Sequence, residues 1–407
     1  MTDDTAILDS RYAWTRLALS LLIATVGGAG IWSIVVVMPA IQADFGVARG
    51  DVSLPYTLTM LGFALGNLAI GRIVDRFGIT LSLIGSALLI AAATGLAALS
   101  PSVQVLSGLQ FIIGFGSAVG FGPLIADVSL WFLRRRGIAV AIAASGNYLA
   151  GAIWPMILAG VLAGQGWRAV YLVLAGATLV VVIPLALCLR RRVPLVARAH
   201  ADTLSSARAR ATGLSPRALM LLLGLAGVAC CVAMSMPQVH IVSYCVDLGY
   251  GPAVGAQMLS LMLLGGVASR LASGALADWL GGVRTVLIGS GLQCLALFLY
   301  LPSDGLTSLY VVSLVFGLAQ GGIVPGYAVI VREYMPSDEA GRRVGFVLMG
   351  TILGMALGGW MSGWIYDLTG SYRMAFLNGI AWNLLNLGII VLILTRTRTR
   401  GPAPLPA

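Results

Sequence analysis

The stretch Gly71-Arg-Ile-Val-Asp75-Arg76-Phe-Gly78 returns 203 residues later as Gly274-Ala-Leu-Ala-Asp278-Trp279-Leu-Gly281. Each copy follows a long apolar run. Three further pairs lie in the same order at an offset of 203 or 205: Asp44-Phe-Gly46 with Asp247-Leu-Gly249, Gly114 with Gly317, and Trp167-Arg168-Ala-Val-Tyr171 with Tyr372-Arg373-Met-Ala-Phe376. Ordered matches at nearly one offset indicate a parallel internal repeat.

The composition of the chain is that of a membrane protein. Its 407 residues are 59% hydrophobic and 10% charged, whereas soluble domains average about 25% charged residues. Twelve apolar runs approach or exceed the length of about 20 residues that crosses a bilayer: 14–38, 53–71, 80–99, 103–130, 137–162, 169–188, 218–244, 254–276, 283–302, 306–331, 344–365 and 375–395. The runs are continuous and lack the period-2 alternation of barrel strands. The sequence therefore predicts an all-α integral membrane protein with twelve transmembrane helices in two six-helix, pseudo-symmetric bundles.

An Arg-rich break in hydropathy separates the two bundles. It predicts an N-terminal bundle over 1–188, a cytoplasmic linker over 189–217, a C-terminal bundle over 218–395 and a cytoplasmic tail over 396–407. All 25 basic residues are Arg, and 21 of them fall on the side of the linker and the termini. This positive-inside bias predicts cytoplasmic termini in a bacterial inner membrane, and it explains the net charge of +10 without nucleic-acid binding.

Arg270 is the one basic residue deep within an apolar run, since Arg16 and Arg284 lie within two residues of the ends of theirs. It lies eight residues before Asp278, or about 12 Å along a helix axis, which is nearly half of a ~30 Å hydrocarbon core. A charge at that depth needs a cavity, water or a counter-charge, and a guanidinium binds a carboxylate with two parallel hydrogen bonds. We predict that Arg270 binds an anionic substrate. Snorkelling to the cytoplasmic surface or bonding to helix carbonyls is the alternative.

These features resemble the major facilitator superfamily, in which two six-helix repeats carry Gly-x-x-x-Asp-Arg-x-Gly between helices 2 and 3. Within that superfamily the chain looks most like the monocarboxylate porters, which include bacterial oxalate–formate antiporters. The stretches that carry this likeness are Asp44-Phe-Gly-Val-Ala-Arg-Gly-Asp51-Val-Ser-Leu-Pro55, Trp131-Phe-Leu-Arg-Arg-Arg-Gly137-Ile-Ala, and Arg270 followed by Gly274. The resemblance implies that Arg270 anchors a substrate carboxylate.

Two positions depart from the family pattern. Some eukaryotic members carry an Asp one turn before the helix-8 Arg, where this chain has Gly266. Oxalate-type relatives carry a Lys in helix 11, and residues 345–365 contain none. The resemblance therefore transfers neither a proton-carrying carboxylate in helix 8 nor a dicarboxylate site.

Polar and aromatic residues inside the runs are the other candidates for substrate binding. Beside Arg270 they are Asn67, Trp32, Asn147, Tyr148, Gln320 and Tyr327. Asn67 lies 203 residues before Arg270, so the repeat places it at the equivalent depth of the first half. Each candidate has a structural alternative, which is an interhelical contact for the amides and core packing for the aromatic rings.

Charged residues at the cytoplasmic ends of the helices are candidates for a gate. Asp75, Arg76 and Asp278 of the repeated motif lie where ion pairs between helices can break and reform, and a tight turn with solvated charges is the alternative. Asp127, within the fourth run, is predicted to pair with Arg76 or with the arginines at 134–136.

The sequence predicts a secondary active transporter that moves a small organic monocarboxylate by alternating access. Proton coupling stays open, with Asp127, His240 and the substrate's own proton as candidate carriers. His240 lies near the periplasmic end, where an ordinary surface position is the more common one. A drug or solute exporter of the same fold and a non-transporting membrane sensor are the alternatives.

The sequence contains no motif that points to catalysis. Its five Cys have neither a disulfide framework nor a metal-ligand spacing, and no phosphate loop or nucleophile–base pair occurs. We therefore expect a monomeric protein that is not an enzyme and needs no cofactor or metal. Its expected partners are the lipid bilayer, a small anion and, where coupled, protons.

Overall fold

A computed structural model describes residues 8–132, 135–191, 214–335 and 337–398. Within these ranges the regular secondary structure is helical, without strands. The side chains of Asp75 and Asp278 lie outside the described part, and so do most of the predicted linker and the end of the tail. The gate role of these two aspartates and the domain boundaries therefore stay predictions.

Each half of the chain contains six transmembrane helices. In the first half they are α1 (Arg11–Gly27 and Ala29–Phe45), α2 (Arg49–Phe77), α3 (Ile79–Ala97), α4 (Val103–Ser117 and Gly122–Ser129), α5 (Arg136–Ala144 and the first part of Gly146–Ala177) and α6 (the rest of Gly146–Ala177, then Ile183–Cys188). In the second half they are α7 (Pro216–Asp247), α8 (Pro252–Leu280), α9 (Gly282–Tyr300), α10 (Leu306–Gln320 and Ile323–Tyr334), α11 (Ser337–Thr369) and α12 (Tyr372–Arg398).

Gly166 separates α5 from α6. The apolar segment Ile138–Cys188 has 51 residues, and as one straight helix it would extend about 76 Å, more than twice a ~30 Å hydrocarbon core. Gly166 interrupts it with φ 79° and ψ 176°, a conformation that glycine adopts without steric cost. Ten other helices of the described part are long and apolar enough to cross a membrane. Counting the interrupted segment as two crossings gives the predicted twelve.

The internal repeat reappears in the packing of the helices. Gly114 of α4 lies so close to the carbonyl oxygen of Thr59 in α2 that no side chain would fit there. Gly317 of α10 lies in the same way against the carbonyl oxygen of Met262 in α8. Both residues of the second contact lie 203 positions after those of the first. The prediction of two pseudo-symmetric six-helix bundles is therefore confirmed.

The two halves meet along two helix pairs, α2 with α11 and α5 with α8. Glycines allow the close approach, because Gly359 of α11 lies against the ring of Tyr56 and Gly266 of α8 lies against the ring of Tyr148. We call the end of the molecule with the α1–α2, α7–α8 and α11–α12 connections the Arg49 end. The opposite end, with the α2–α3 and α8–α9 connections, is the linker end.

Candidate functional site

A cavity of about 90 Å³ lies between the two halves. Its lining residues are Ile31, Trp32, Tyr56, Met60, Phe63, Phe121, Asn147, Tyr148, Cys231, Met234, Gln238, Arg270, Val324, Leu348, Thr351, Ile352 and Met355. Most of these side chains are apolar, and Arg270 is the one that carries a charge. A cavity that holds benzene measures about 150 Å³, so this space fits a molecule of only a few heavy atoms.

Two backbone carbonyls and one aromatic ring hold the Arg270 side chain. The residue is 6% exposed, its NH1 donates to Ala144 O at 2.6 Å, and its Nε donates to Gly321 O at 3.3 Å. Both carbonyls lie where a helical segment ends, and such carbonyls carry partial negative charge. The guanidinium carbon lies 4.1 Å from the ring centroid of Tyr148, which is a favourable cation–π distance.

Carbonyl bonding accounts for hydrogen bonds of Arg270 but leaves its charge unpaired. Between described side chains, the ion pairs are Arg16–Asp127, Arg49–Asp247 and Arg168–Asp44. Arg270 belongs to none of them. An amide dipole does not neutralise a guanidinium, so the described residues leave this buried cation with neutral partners only. Binding of an anion by Arg270 stays a prediction.

Three other predicted residues lie beside Arg270 in the cavity wall. Trp32 of α1 donates from Nε1 to the backbone oxygen of Asn147 at 2.9 Å and to its Oδ1 at 3.3 Å. This bond fixes the indole against α5, the helix that also carries Tyr148. The sequence thus correctly grouped Trp32, Asn147 and Tyr148 with Arg270, although their contact with a substrate stays a prediction.

Asn67 has a local structural partner and is absent from the cavity lining. Its Nδ2 donates to Phe63 O at 2.8 Å, and its Oδ1 accepts from the backbone nitrogen of Gly122 at 3.2 Å. The helix α4 is interrupted just before Gly122, which leaves this amide without an intrahelical acceptor. Of the two alternatives for Asn67, the structure contains the interhelical hydrogen bond.

Gln320 and Tyr327 of α10 lie behind the cavity wall. Gln320 Oε1 accepts from Gln238 Nε2 at 2.5 Å, and Gln238 in turn lines the cavity. The Tyr327 hydroxyl lies 2.7 Å from Asn386 Oδ1 and 3.2 Å from Ala226 O. Both partners of Tyr327 belong to the second half, so Tyr327 packs within that bundle.

Asp127 forms an ion pair that the sequence did not predict. Its Oδ2 lies 2.8 Å from NH2 and 2.9 Å from Nε of Arg16 in α1. Both residues belong to the first half, so this pair joins α1 to α4 and does not cross between the halves. Of the expected partners, Arg76 is exposed with its guanidinium carbon 5.3 Å from the ring centroid of Phe77, and that of Arg135 lies 6.0 Å from the ring centroid of Trp14. Arg134 and the side chain of Arg136 lie outside the described part, so pairing of Asp127 with them stays a prediction.

His240 is fully buried, so the expectation of a surface histidine is wrong. Its Nδ1 lies 2.9 Å from the hydroxyl of Tyr372, and its Nε2 lies 2.7 Å from Gly359 O. These partners belong to α12 and α11, which cover this part of α7. The sequence indicated the position of His240 along α7 but not the helices that pack over it.

A cluster around Arg49 joins the halves at the Arg49 end, and the sequence analysis did not identify Arg49 as a candidate. The carboxylate of Asp367 accepts from the backbone nitrogens of Arg49 at 2.8 Å and Gly50 at 2.6 Å. The guanidinium of Arg49 pairs with Asp247 at 3.1 Å and donates to the Tyr372 hydroxyl at 2.9 Å. We call these contacts the Arg49 lock. Arg is rare at this end of the molecule, and that rarity was the signal in the sequence that could have identified Arg49.

Comparison with known sequences and structures places these observations in context. The sequence matches the Major Facilitator Superfamily over residues 20–312 and 284–407. It is 28% identical over 351 residues to "Monocarboxylate transporter 13" of Rattus norvegicus, covering 86% of this chain and 78% of that protein. The bovine protein of the same name is 28% identical over 271 residues, which cover 66% of this chain and only 62% of the relative.

Efflux proteins also occur among the relatives. The "Fujikurins efflux protein" of Gibberella fujikuroi is 25% identical over 74% of this chain and 66% of its own length. Among solved structures, the crystal structure of a bacterial homologue of the human lysosomal transporter Spinster, in an inward-facing and occupied conformation, matches with a TM-score of 0.77. That match covers 98% of this chain and 100% of the other at 14% identity, so it shows the fold alone.

Proposed function

Because the chain belongs to the major facilitator superfamily and is a membrane transporter rather than an enzyme, we propose that it carries a small organic monocarboxylate by alternating access. The observation that carries the proposal is the buried Arg270 guanidinium at a central cavity, whose partners among the described residues are all neutral. The similarity to proteins named as monocarboxylate transporters supports the same substrate class.

The charge and the size of the cavity both favour one carboxylate on a small molecule. Arg270 is the one charged side chain of the lining, so the second carboxylate of a dicarboxylate would be buried without a partner at large cost. A volume of about 90 Å³ is far below the roughly 300–1,000 Å³ of pockets for drug-sized ligands. The apolar walls receive the remainder of the substrate.

Substrate binding shares a donor nitrogen with a contact between the halves. The acceptor for Arg270 NH1 is Ala144 O of the first half, whereas Arg270 belongs to the second. A carboxylate bound to NH1 and NH2 engages the same nitrogen that donates to this carbonyl, although the five N–H donors of the guanidinium let both bonds coexist. We therefore infer that substrate binding weakens a contact between α5 and α8 and so favours relative movement of the two bundles.

The Arg49 lock supplies the opposing contact. Its hydrogen bonds and ion pair hold α2 against α7, α11 and α12, so they must break before the cavity opens at the Arg49 end. We assign the Arg49 end to the periplasm and the linker end to the cytoplasm of a bacterial inner membrane, from the distribution of Arg along the chain.

The route of any coupled proton is a separate part of the proposal. Asp127 and His240 remain the candidate carriers, and the substrate's own carboxylic acid is the third. His240 contacts Tyr372, which also accepts from Arg49, so its protonation would act on the Arg49 lock. Asp127 is paired with Arg16, so its protonation would act within the first half.

An exporter of drugs or other apolar solutes is the second candidate function. The largely apolar cavity wall and the similarity to a fungal efflux protein favour it. In such a protein Arg270 would be structural and its carbonyl contacts would be its main partners. The two functions differ in whether a carboxylate is needed for transport.

Uptake into proteoliposomes distinguishes the two functions. Labelled lactate, pyruvate and an aromatic acid would be tested with and without a pH gradient, for the wild type, Arg270→Gln and Arg373→Gln. Arg373 is exposed and forms no ion pair with a described side chain, so it is the matched control. The proposal is supported if the wild type and Arg373→Gln show saturable uptake of an acid and Arg270→Gln does not. It is contradicted if Arg270→Gln takes up the acid as fast as Arg373→Gln does.

A further inference from the structure

Tyr56 is a cavity residue that the sequence analysis did not single out. It belongs to α2 of the first half, its side chain is fully buried, and it lines the same cavity as Arg270 of the second half. Its hydroxyl oxygen is buried and has no hydrogen-bond partner among the described residues. Buried hydroxyl groups are normally paired with protein, water or ligand, because an unpaired one is costly.

Three other polar side chains around the cavity differ from Tyr56 because the protein itself supplies a partner for each. These bonds are Trp32 Nε1 to Asn147 O, Gln238 Nε2 to Gln320 Oε1, and Thr351 Oγ1 to Leu348 O. Of the buried nitrogen and oxygen atoms that lack a partner within the described ranges, the Tyr56 hydroxyl is the one on a cavity-lining residue. The cavity therefore has one charged group and, among the fully buried polar atoms of its described lining, one hydroxyl without a partner.

Packing fixes the position of this hydroxyl. The Tyr56 ring lies against α11 at Gly359, where an added Cβ would be 2.8 Å from Cδ1 and 3.0 Å from Cε1 of the ring. A phenol has only its ring plane and its O–H torsion to adjust, so a ring held by α11 presents its hydroxyl at one place. A preorganised group of this kind gives orientation and specificity to a ligand site.

We propose that the Tyr56 hydroxyl is the second anchor of the substrate and binds a hydroxyl or oxo group near its carboxylate. This inference rests on the proposed function, in which Arg270 binds the carboxylate. Arg270 and Tyr56 then hold the substrate from opposite halves, and Tyr56 selects hydroxy- and oxo-acids over unsubstituted acids of the same length. In the small cavity the two polar groups of the substrate lie close together.

Binding of L-lactate and propionate tests the inference, because these acids differ in the hydroxyl group beside the carboxylate. Dissociation constants would be measured by calorimetry on the full-length protein in lipid nanodiscs. The variants are Tyr56→Phe and the control Tyr171→Phe, which removes a buried hydroxyl of the first half that pairs with Gln110 at 2.7 Å. We expect the wild type to prefer lactate.

In Tyr56→Phe, lactate affinity should fall by about two- to tenfold while propionate affinity changes by less than about twofold. The Tyr171→Phe variant should keep the wild-type ratio. Retained propionate binding shows that Tyr56→Phe is folded, and a lactate-to-propionate ratio equal to the wild-type value would then mean that the hydroxyl binds water or nothing. If the wild type binds neither acid, or Arg270→Gln binds both normally, the proposed function itself has failed.

Discussion

Asp247 of the second half forms its ion pair with Arg49 of the first half, with 3.1 Å between Oδ1 and NH2. Its equivalent in the repeat, Asp44, pairs instead with Arg168 of its own half at 2.8 Å. The side chain of Arg49 is 8% exposed and that of Arg168 is 47% exposed, so solvent screens the Arg49 pair much less. The two ion pairs therefore depart from the internal symmetry. The more buried pair, Arg49–Asp247, joins the two halves, whereas the exposed pair, Arg168–Asp44, lies within one half.

Arg49→Gln should open the Arg49 end. Loss of the guanidinium removes the bonds to Asp247 and Tyr372 and leaves the halves joined there by fewer polar contacts. Spin labels at Ala43→Cys and Ser371→Cys, in a background without native cysteines, would report the separation of the halves. In Arg49→Gln, a larger fraction of molecules should show the longer label-to-label distances. Arg168→Gln removes the equivalent pair inside one half and should leave the label distances unchanged. If both variants give the same distance distribution, the Arg49 lock does not hold the halves together.

Asp367→Ala should act in the same direction by a different route. The Asp367 carboxylate accepts from two backbone amides in the first turn of α2, and losing an N-terminal cap costs about 1 kcal/mol. That loss corresponds to a population ratio about fivefold more open at the Arg49 end. The matched control is Asp51→Ala, an exposed carboxylate of the same helical turn. A control that shifts the label distances as much as Asp367→Ala would show that the cap is not the cause.

Asp127→Asn should destabilise the protein by about 3 kcal/mol, because it leaves Arg16 buried without its counter-charge. The Arg16 side chain is 1% exposed and that of Asp127 is 11% exposed. Thermal unfolding in detergent would measure the effect. The double variant Arg16→Met, Asp127→Leu should recover part of the loss, since no charge is then buried alone. An Asp127→Asn variant as stable as the wild type would contradict this prediction and would mean that Asp127 is protonated in the native protein, as a proton carrier can be.

Acidification should loosen the Arg49 lock through His240. The Tyr372 hydroxyl accepts from Arg49 and therefore donates its own hydrogen to His240 Nδ1, while Nε2 donates to Gly359 O. Protonation of Nδ1 removes that acceptor and adds a positive charge, which Arg49 of the lock repels and Asp367 of the lock attracts. Burial disfavours the charged imidazole, so the spin-label distances should lengthen only at acid pH, between about pH 6 and about pH 4, and His240→Gln should lose this dependence. The same pH response in His240→Gln would exclude His240 as its source.

The sequence predicted the fold and the centre of the cavity because both depend on features that repeat or stand out along the chain. The offset of 203 residues fixed the two bundles, and the isolated charge of Arg270 identified the eighth helix. Trp32, Asn147 and Tyr148 were found because polar or bulky residues are unusual within long apolar runs.

The remaining features depend on local breaks and on covering helices, which a linear pattern does not contain. The repeat offset pointed to Asn67, but the interruption of α4 gives this residue a backbone amide to cap. His240 is covered by Gly359 of α11 and Tyr372 of α12, which come more than a hundred residues later in the chain. A tyrosine in an apolar helix is common, so the sequence alone gives no reason to choose Tyr56. The structure singles it out because its buried hydroxyl has no hydrogen-bond partner within the described residues.

The proposed function depends on binding of the substrate carboxylate by Arg270, and the affinity of Arg270→Gln for lactate measures that contact. Each charge-assisted hydrogen bond contributes about 1.5–3 kcal/mol, so losing a bidentate pair should weaken binding by about two to four decades. Arg270→Lys should recover only part of this affinity, because an ammonium lacks the planar fork. Lactamide should bind the wild type poorly and lose little more in Arg270→Gln. Lactate binding to Arg270→Gln with the wild-type dissociation constant would contradict the account.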